Sequence, residues 1–227
     1  MSRFNWMYSV LFQFASLIYR WILSLIVVLG AAFVFLELAE DVWLKEGFSW
    51  DVPLMRDVHH LSAPWLDTLM QGVTLTASAL VVTAVAGIAI WLWRWRRNKL
   101  DALTMIATLA GSVIINTLLK LVFARPRPDV FQPLTVEHSY SFPSGHTSTA
   151  IAFYGLLAVL LWRANHRGAA LLPGLWVLAV AFSRVYLGVH YPSDVLGSLA
   201  LGLIWLSAVM YVHDRYWDRA RRRALAA

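Results

Sequence analysis

Lys120 and Arg127 stand seven residues apart in KLVFARPRP, residues 120–128, so on a helix they return to nearly the same face. Pro126 and Pro128 end such a helix and stiffen the chain beyond it. A planar guanidinium fork beside an ammonium point charge suits a fixed oxyanion. A second group is SFPSGHTS, residues 141–148, just before an apolar run. Gly145 permits close backbone approach to a ligand, Ser144 offers a hydroxyl and an amide, and His146 lies at a predicted helix start, where free N–H groups favour an anion. The third group is SRVYLGVHYPSD, residues 183–194. Its His190 and Asp194 are four apart, so the carboxylate can hold one ring nitrogen and leave the other free to attack. Arg184 adds a third cation, and Arg125 a fourth whose direction the pattern leaves open.

Each group alone has a plainer reading: a snorkelling lysine, a serine helix cap, a surface His–Asp pair. Together they describe phosphoryl chemistry. Cations and a helix terminus hold the phosphate, one histidine attacks, and the other protonates the leaving oxygen. The residues alone leave open which histidine attacks; Asp194 tilts the choice to His190. No carboxylate cluster suits a magnesium cage, so the expected chemistry uses no metal and no other cofactor.

The elements that must position these groups are membrane helices. Of 227 residues 59% are hydrophobic and 14% charged, with a mean hydropathy of +0.62. A soluble domain is nearer a quarter charged. The absence of cysteine excludes disulfides, thiolate chemistry and Cys–His zinc sites. Six apolar runs, roughly 21–38, 68–93, 101–123, 147–164, 169–187 and 194–213, predict an all-α protein with six transmembrane helices in a single domain, 1–227. The first run continues past a conceivable signal-peptide cleavage point near Gly30, which favours an uncleaved span.

Basic residues mark the amino terminus (Arg3, Arg20), the loop RWRRNK at 94–99, the loop with Arg163, His166 and Arg167, and the tail DRYWDRARRR. The positive-inside rule makes these cytoplasmic, with both termini, and sends the three motif groups to the extracytoplasmic side. The net charge of +6 is thereby accounted for by membrane flanks and does not call for nucleic acid. Trp91, Trp93, Trp95 and Trp162 fall at span ends, as an interfacial aromatic belt does. The longest non-spanning piece is roughly 39–66, where adjacent His59 and His60 read as a solvated loop pair rather than metal ligands.

At this point the chain resembles the type 2 phosphatidic acid phosphatase (PAP2) family, which shares its active site with vanadium haloperoxidases. Members carry K-x6-RP, PSGH and SR-x5-H-x3-D. Here these are Lys120 to Arg127-Pro128, Pro143-Ser144-Gly145-His146, and Ser183-Arg184 to His190 to Asp194, in order and without a gap. The motif core spans roughly 115–200.

The resemblance implies a nucleophilic His190 that becomes a phosphohistidine, oriented by Asp194, with His146 as general acid. It implies phosphate binding by Lys120, Arg127, Arg184, Ser144 and Gly145. The expected substrate is a membrane lipid phosphate reached from the bilayer: phosphatidic acid, phosphatidylglycerol phosphate or undecaprenyl diphosphate. The modest length favours the last two, in a bacterial inner membrane. The same phosphohistidine chemistry fits a phosphotransferase with a lipid acceptor such as lipid A. An anion carrier or channel instead predicts charges spread along the spans, whereas these gather on one side. The sequence assigns no oligomeric state.

Overall fold

The computed structural model describes the backbone of residues 3–96 and 99–226, and the side chains of 22–217 apart from 23, 79, 89, 90 and 92–99. The side chains of Arg3, Arg20, Trp93, Trp95, the 94–99 loop and the tail beyond 217 therefore lie outside the described residues. Among the described residues every regular element is helical: α1 (Arg3–Leu44), α2 (Asp51–His59), α3 (Pro64–Leu75), α4 (Ala79–Arg96), α5 (Lys99–Phe123), α6 (Gly145–Ala150), α7 (Leu156–Arg163), α8 (Arg167–Tyr186) and α9 (Pro192–Ala226). A π turn, Ile151–Gly155, joins α6 to α7.

Four helical stretches among the described residues are long and apolar enough to cross a membrane: Leu100–Phe123, Gly145–Arg163, Arg167–Tyr186 and Pro192–Trp217. They match the third to sixth expected runs. The second run, expected as one helix over 68–93, is broken. α3 and the segment Leu80–Ile88 of α4 are bent by 44°, and count as a fifth crossing only if taken together. The break follows Thr76. Its hydroxyl donates to Val73 O at 2.7 Å, and its carbonyl accepts from the Tyr154 hydroxyl at 3.3 Å. Side chains thus satisfy the backbone groups that the ladder gives up. The first run lies within α1, whose described part exposes Leu25, Ile26, Leu29, Phe33 and Leu36, a surface suited to lipid rather than water.

The stretch expected as a solvated loop is partly folded. α2 buries Asp51, Met55 and Val58. His60 is exposed, but His59 is half-buried and stacks on Phe131 with ring centroids 3.8 Å apart. The two histidines thus diverge as expected, and one of them packs instead of being solvated.

Three junctions place the future site. α5 stops where Ala124 takes φ +44° and Pro126 follows. The turn before α6 is nailed down by Phe142, fully buried between Phe123 (5.0 Å, edge-on), Phe35 (6.0 Å) and the backbone of α9 at Gly197, where a Cβ would sit 2.6 Å from its ring. The turn after α8 is made at Gly188, which needs both its φ of +74° and its missing Cβ, since Phe131 stands 2.5 Å from where one would be. Pro192 then opens α9, at a position where its missing N–H costs nothing.

Helix α5 approaches α9 through Gly111, where a Cβ would fall 2.0 Å from Trp205, whose indole donates to Thr108 O at 2.9 Å. Gly111→Ala is therefore expected to destabilise the protein by about 1–3 kcal/mol through overpacking. Gly87→Ala, with nothing within 4 Å of its Cβ, is expected to be neutral or slightly stabilising. Thermal unfolding of the two variants in detergent compares them directly, and equal melting temperatures would refute the packing argument.

Candidate active site

The α8–α9 connection carries His190 into the protein interior, 1% exposed, with Asp194 in the first turn of α9 at 0%. Their contact spans the helix start: His190 Nδ1 lies 3.3 Å from Asp194 Oδ2. In the sequence Pro192 leaves open only whether this segment is helical, since the carboxylate can reach the ring either way. The structure makes that proline the first residue of α9. Asp194 Oδ2 also accepts the Tyr191 N–H at 2.9 Å and the Ser141 hydroxyl, while Oδ1 accepts from Arg125 Nη1 at 2.5 Å. The carboxylate is thus held on both oxygens, and the imidazole presents Nε2 to a cavity, 3.4 Å from Arg127 Nη1.

This cavity, about 850 Å³, is lined by Lys120, Arg127, Gly145, His146 and His190, by the apolar Ala77, Val82, Val113 and Leu121, and by Ser112, Asn116 and Thr117 between them. Lys120 comes from the last turn of α5, buried, with its ammonium donating to Ser139 Oγ at 3.1 Å and to the Tyr140 carbonyl. Arg127 is clamped by carbonyls, Nε to Ser139 O at 2.7 Å and Nη1 to Val189 O at 2.6 Å. Carbonyls that orient a guanidinium leave its charge uncancelled for a ligand.

Five of the eight residues singled out from the sequence, Lys120, Arg127, Gly145, His146 and His190, line this cavity, and Asp194 backs it. Two differ from expectation. Ser144 is fully buried and turned away; its hydroxyl accepts from Thr147 Oγ1 at 3.0 Å and makes no capping bond. Arg184 is 1% exposed and lies behind the cavity wall, with Nη1 donating to Thr74 Oγ1 and Nη2 to Glu137 Oε1, each at 2.5 Å. Gly145 stands in an ordinary helical turn. A Cβ there would meet Asn116 Oδ1 at 3.4 Å, so the turn itself does not demand glycine.

Sequence reasoning missed Glu137. Its carboxylate lies 2.5 Å from Arg184, 3.9 Å from Arg127 Nη2 and 3.7 Å from His146 Nδ1, so an acid sits among two of the residues expected to hold phosphate and the expected general acid. The one sequence signal was an acid nine residues before His146, between two basic motifs. Burial works to raise the Glu137 pKa, but Arg184, His146 and Arg127 outweigh it and hold the group below its ordinary value. Burial and the nearby Arg184 and Arg127 both push His190 well below the usual histidine range, which keeps its ring neutral. Burial also lowers Arg127 from its ordinary value.

With this geometry in place, relationships to known proteins become informative. Residues 101–218 match the PAP2 superfamily, and the chain belongs to it. It is 34% identical over 177 residues to phosphatidylglycerophosphatase B of Bacillus subtilis (strain 168), covering 75% of this chain and 86% of that protein. It is 36% identical over 150 residues to undecaprenyl-diphosphatase BcrC of the same strain, covering 64% of this chain and 73% of that one. The fold matches the crystal structure of a transmembrane PAP2-type phosphatidylglycerolphosphate phosphatase from Bacillus subtilis with a TM-score of 0.75 and 30% identity, over 83% of this chain and 96% of the other. Membership in this superfamily makes the chain a lipid phosphatase embedded in the membrane.

The state of His190 has a consequence for stability. Above about pH 6.5 the ring is neutral folded and unfolded alike. Below it, the unfolded chain takes up a proton that buried His190 refuses, so stability falls with acidification by up to about 1.4 kcal/mol per pH unit. His190→Gln is expected to lose less melting temperature than wild type between about pH 6.5 and about pH 5. Parallel slopes in thermal unfolding against pH would contradict the burial argument.

Proposed function

We propose that this chain removes the terminal phosphoryl group of a membrane lipid phosphate through a phosphohistidine, without a metal ion. The observation that carries the reading is one cavity with two kinds of wall. Lys120, Arg127, His146 and His190 form its charged part, and Val82, Val113 and Leu121 add apolar surface from α4 and α5, interspersed with Thr83, Ser112, Asn116 and Thr117. A lipid phosphate has the same division. Charges gathered in one part also speak against an ion path, which needs them at successive depths.

In this mechanism the neutral His190 Nε2 attacks phosphorus, with Nδ1–H held on Asp194. The N–P bond forms as the bond to the leaving oxygen breaks, and His146 gives that oxygen its proton. Water then attacks phosphorus, His146 takes a proton from it, and the N–P bond breaks to release inorganic phosphate and regenerate His190. Lys120 and Arg127 hold the non-bridging oxygens as charge builds on them. Glu137 fills the anion seat in the resting site, and the phosphoryl oxygens take its place beside Arg127 and His146. Once free of it, Arg184 adds its charge from behind the wall. Ser144 acts through the shape of the turn, not through its hydroxyl.

The relatives support phosphatidylglycerol phosphate and undecaprenyl diphosphate as the substrates to test first. The chain works as a single domain of six crossings in a bacterial inner membrane. The distribution of basic residues supports cytoplasmic termini and an extracytoplasmic site, with substrate arriving sideways from the bilayer.

The test is phosphate release by purified protein in detergent with EDTA, from those two lipids and phosphatidic acid. Release from at least one lipid is expected, with loss of at least about 1,000-fold in folded His190→Ala. Full release by His190→Ala, or release that EDTA abolishes and magnesium restores, would overturn the mechanism. Release only with a lipid acceptor present would move the reading to a phosphotransferase.

A further inference from the structure

Arg125 lies two residues before Arg127 and is the extra cation of the first motif. It touches the cavity wall, yet it is 11% exposed and both terminal nitrogens are taken. Nη1 donates to Asp194 Oδ1 at 2.5 Å and to Ser193 Oγ at 2.8 Å, and Nη2 donates to Asp51 Oδ2 at 3.0 Å. The guanidinium is stacked 4.2 Å over the Tyr191 ring, which fixes its plane. Its own carbonyl accepts from Ser141 N at 2.9 Å, and the Ser141 hydroxyl in turn donates to Asp194. Arg125 therefore grips Asp194 twice, once by its side chain and once through Ser141.

Asp51 completes the arrangement from a different part of the chain. It is 2% exposed in the first turn of α2. Oδ1 accepts the Ser193 backbone N–H at 2.9 Å, and Oδ2 accepts the Ser193 hydroxyl at 2.5 Å. Ser193 is the second residue of α9, so Asp51 caps in trans the helix that carries Asp194, satisfying an N–H that the helix leaves free. It also supplies the second carboxylate that a nearly buried guanidinium needs.

We propose that Asp51 and Arg125 are positioning residues for the reaction: they lock the Asp194 carboxylate, and through it the His190 ring, and do not hold the phosphoryl group. The inference rests on the phosphohistidine reading above. It gives the stretch between α1 and α3 a part in catalysis that its sequence does not advertise, and it separates Arg125 from its neighbour Arg127, whose guanidinium faces His190 Nε2.

The experiment measures kcat, KM and the inhibition constant for orthovanadate, a phosphate analogue, in Asp51→Asn, Arg125→Gln and Arg125→Lys. Phosphatidylglycerol phosphate is the substrate, and wild type and His190→Ala run alongside. Partners that orient a reacting group through another typically cost 10–100-fold, so Asp51→Asn and Arg125→Gln are each expected to lower kcat by about that factor. KM and the orthovanadate constant are expected to stay within about twofold, and Arg125→Lys, which keeps the charge, to recover part of kcat. A raised orthovanadate constant at unchanged kcat would make Arg125 a phosphate ligand and overturn the proposal, as would wild-type kcat in both variants. Should either variant fail to fold, Ser193→Ala removes the hydroxyl between the two charges and is expected to lower kcat several-fold with the same split. Wild-type kcat there would overturn the proposal equally. Inactive wild type, or active His190→Ala, would instead sink the underlying phosphohistidine reading.

Discussion

Asp194 has no access to water, and a carboxylate in that position is costly unless donors and an opposite charge surround it. Much of the architecture around the cavity follows from meeting that demand. The loop after α5 supplies Arg125 and Ser141, the α8–α9 connection supplies His190 and the Tyr191 N–H, and α2 supplies Asp51 to balance the arginine. Three segments remote in sequence are thereby held in one register. Breaking one partner leaves a buried charge uncompensated, so the group that orients His190 also ties the loops together.

The same economy shapes the phosphate seat. Cations crowded at the end of membrane helices repel one another, and without a ligand something must offset them. The Glu137 carboxylate does this for Arg184 and, at 3.9 Å, in part for Arg127, while carbonyl groups hold Lys120 and Arg127 in place. Carbonyls orient a cation without neutralising it, so those two side chains stay charged toward the cavity. Among the described residues Glu137 is the acid that pairs with Arg184, Arg127 and His146, and its charge has the sign of a phosphoryl oxygen. Along α5 the cavity wall is mixed: Val113 and Leu121 alternate with Ser112, Asn116 and Thr117 on the way to Lys120.

Lys120, Arg127, His146 and His190 were legible in the sequence, because their spacing is tied to helix ends, and helix ends are written in prolines, glycines and apolar runs. Asp51, Arg125, Ser141 and Glu137 were not. Their partners depend on the path of loops that have no period, and an acid at 51 carries no mark that it will meet an arginine at 125. Ser144 and Arg184 were found by motif, and their depth behind the cavity wall was not legible, since spacing says which residues gather and not which lie behind the others. The crossing helices from α5 to α9 followed directly from hydropathy. The break at Thr76 did not, because its hydrogen bonds come from the Tyr154 hydroxyl, remote in sequence, and from the threonine's own side chain, and a run's mean hydropathy records neither.

The central claim is that His190 itself carries the phosphoryl group. It is tested most directly by mixing purified protein with lipid labelled in its terminal phosphate, quenching at alkaline pH within milliseconds, and locating the label by mass spectrometry. The account predicts an alkali-stable, acid-labile phosphohistidine at His190, formed and lost at rates compatible with turnover and absent from His190→Ala. Label on His146, or turnover with no protein-bound phosphate at any quench time, would contradict it.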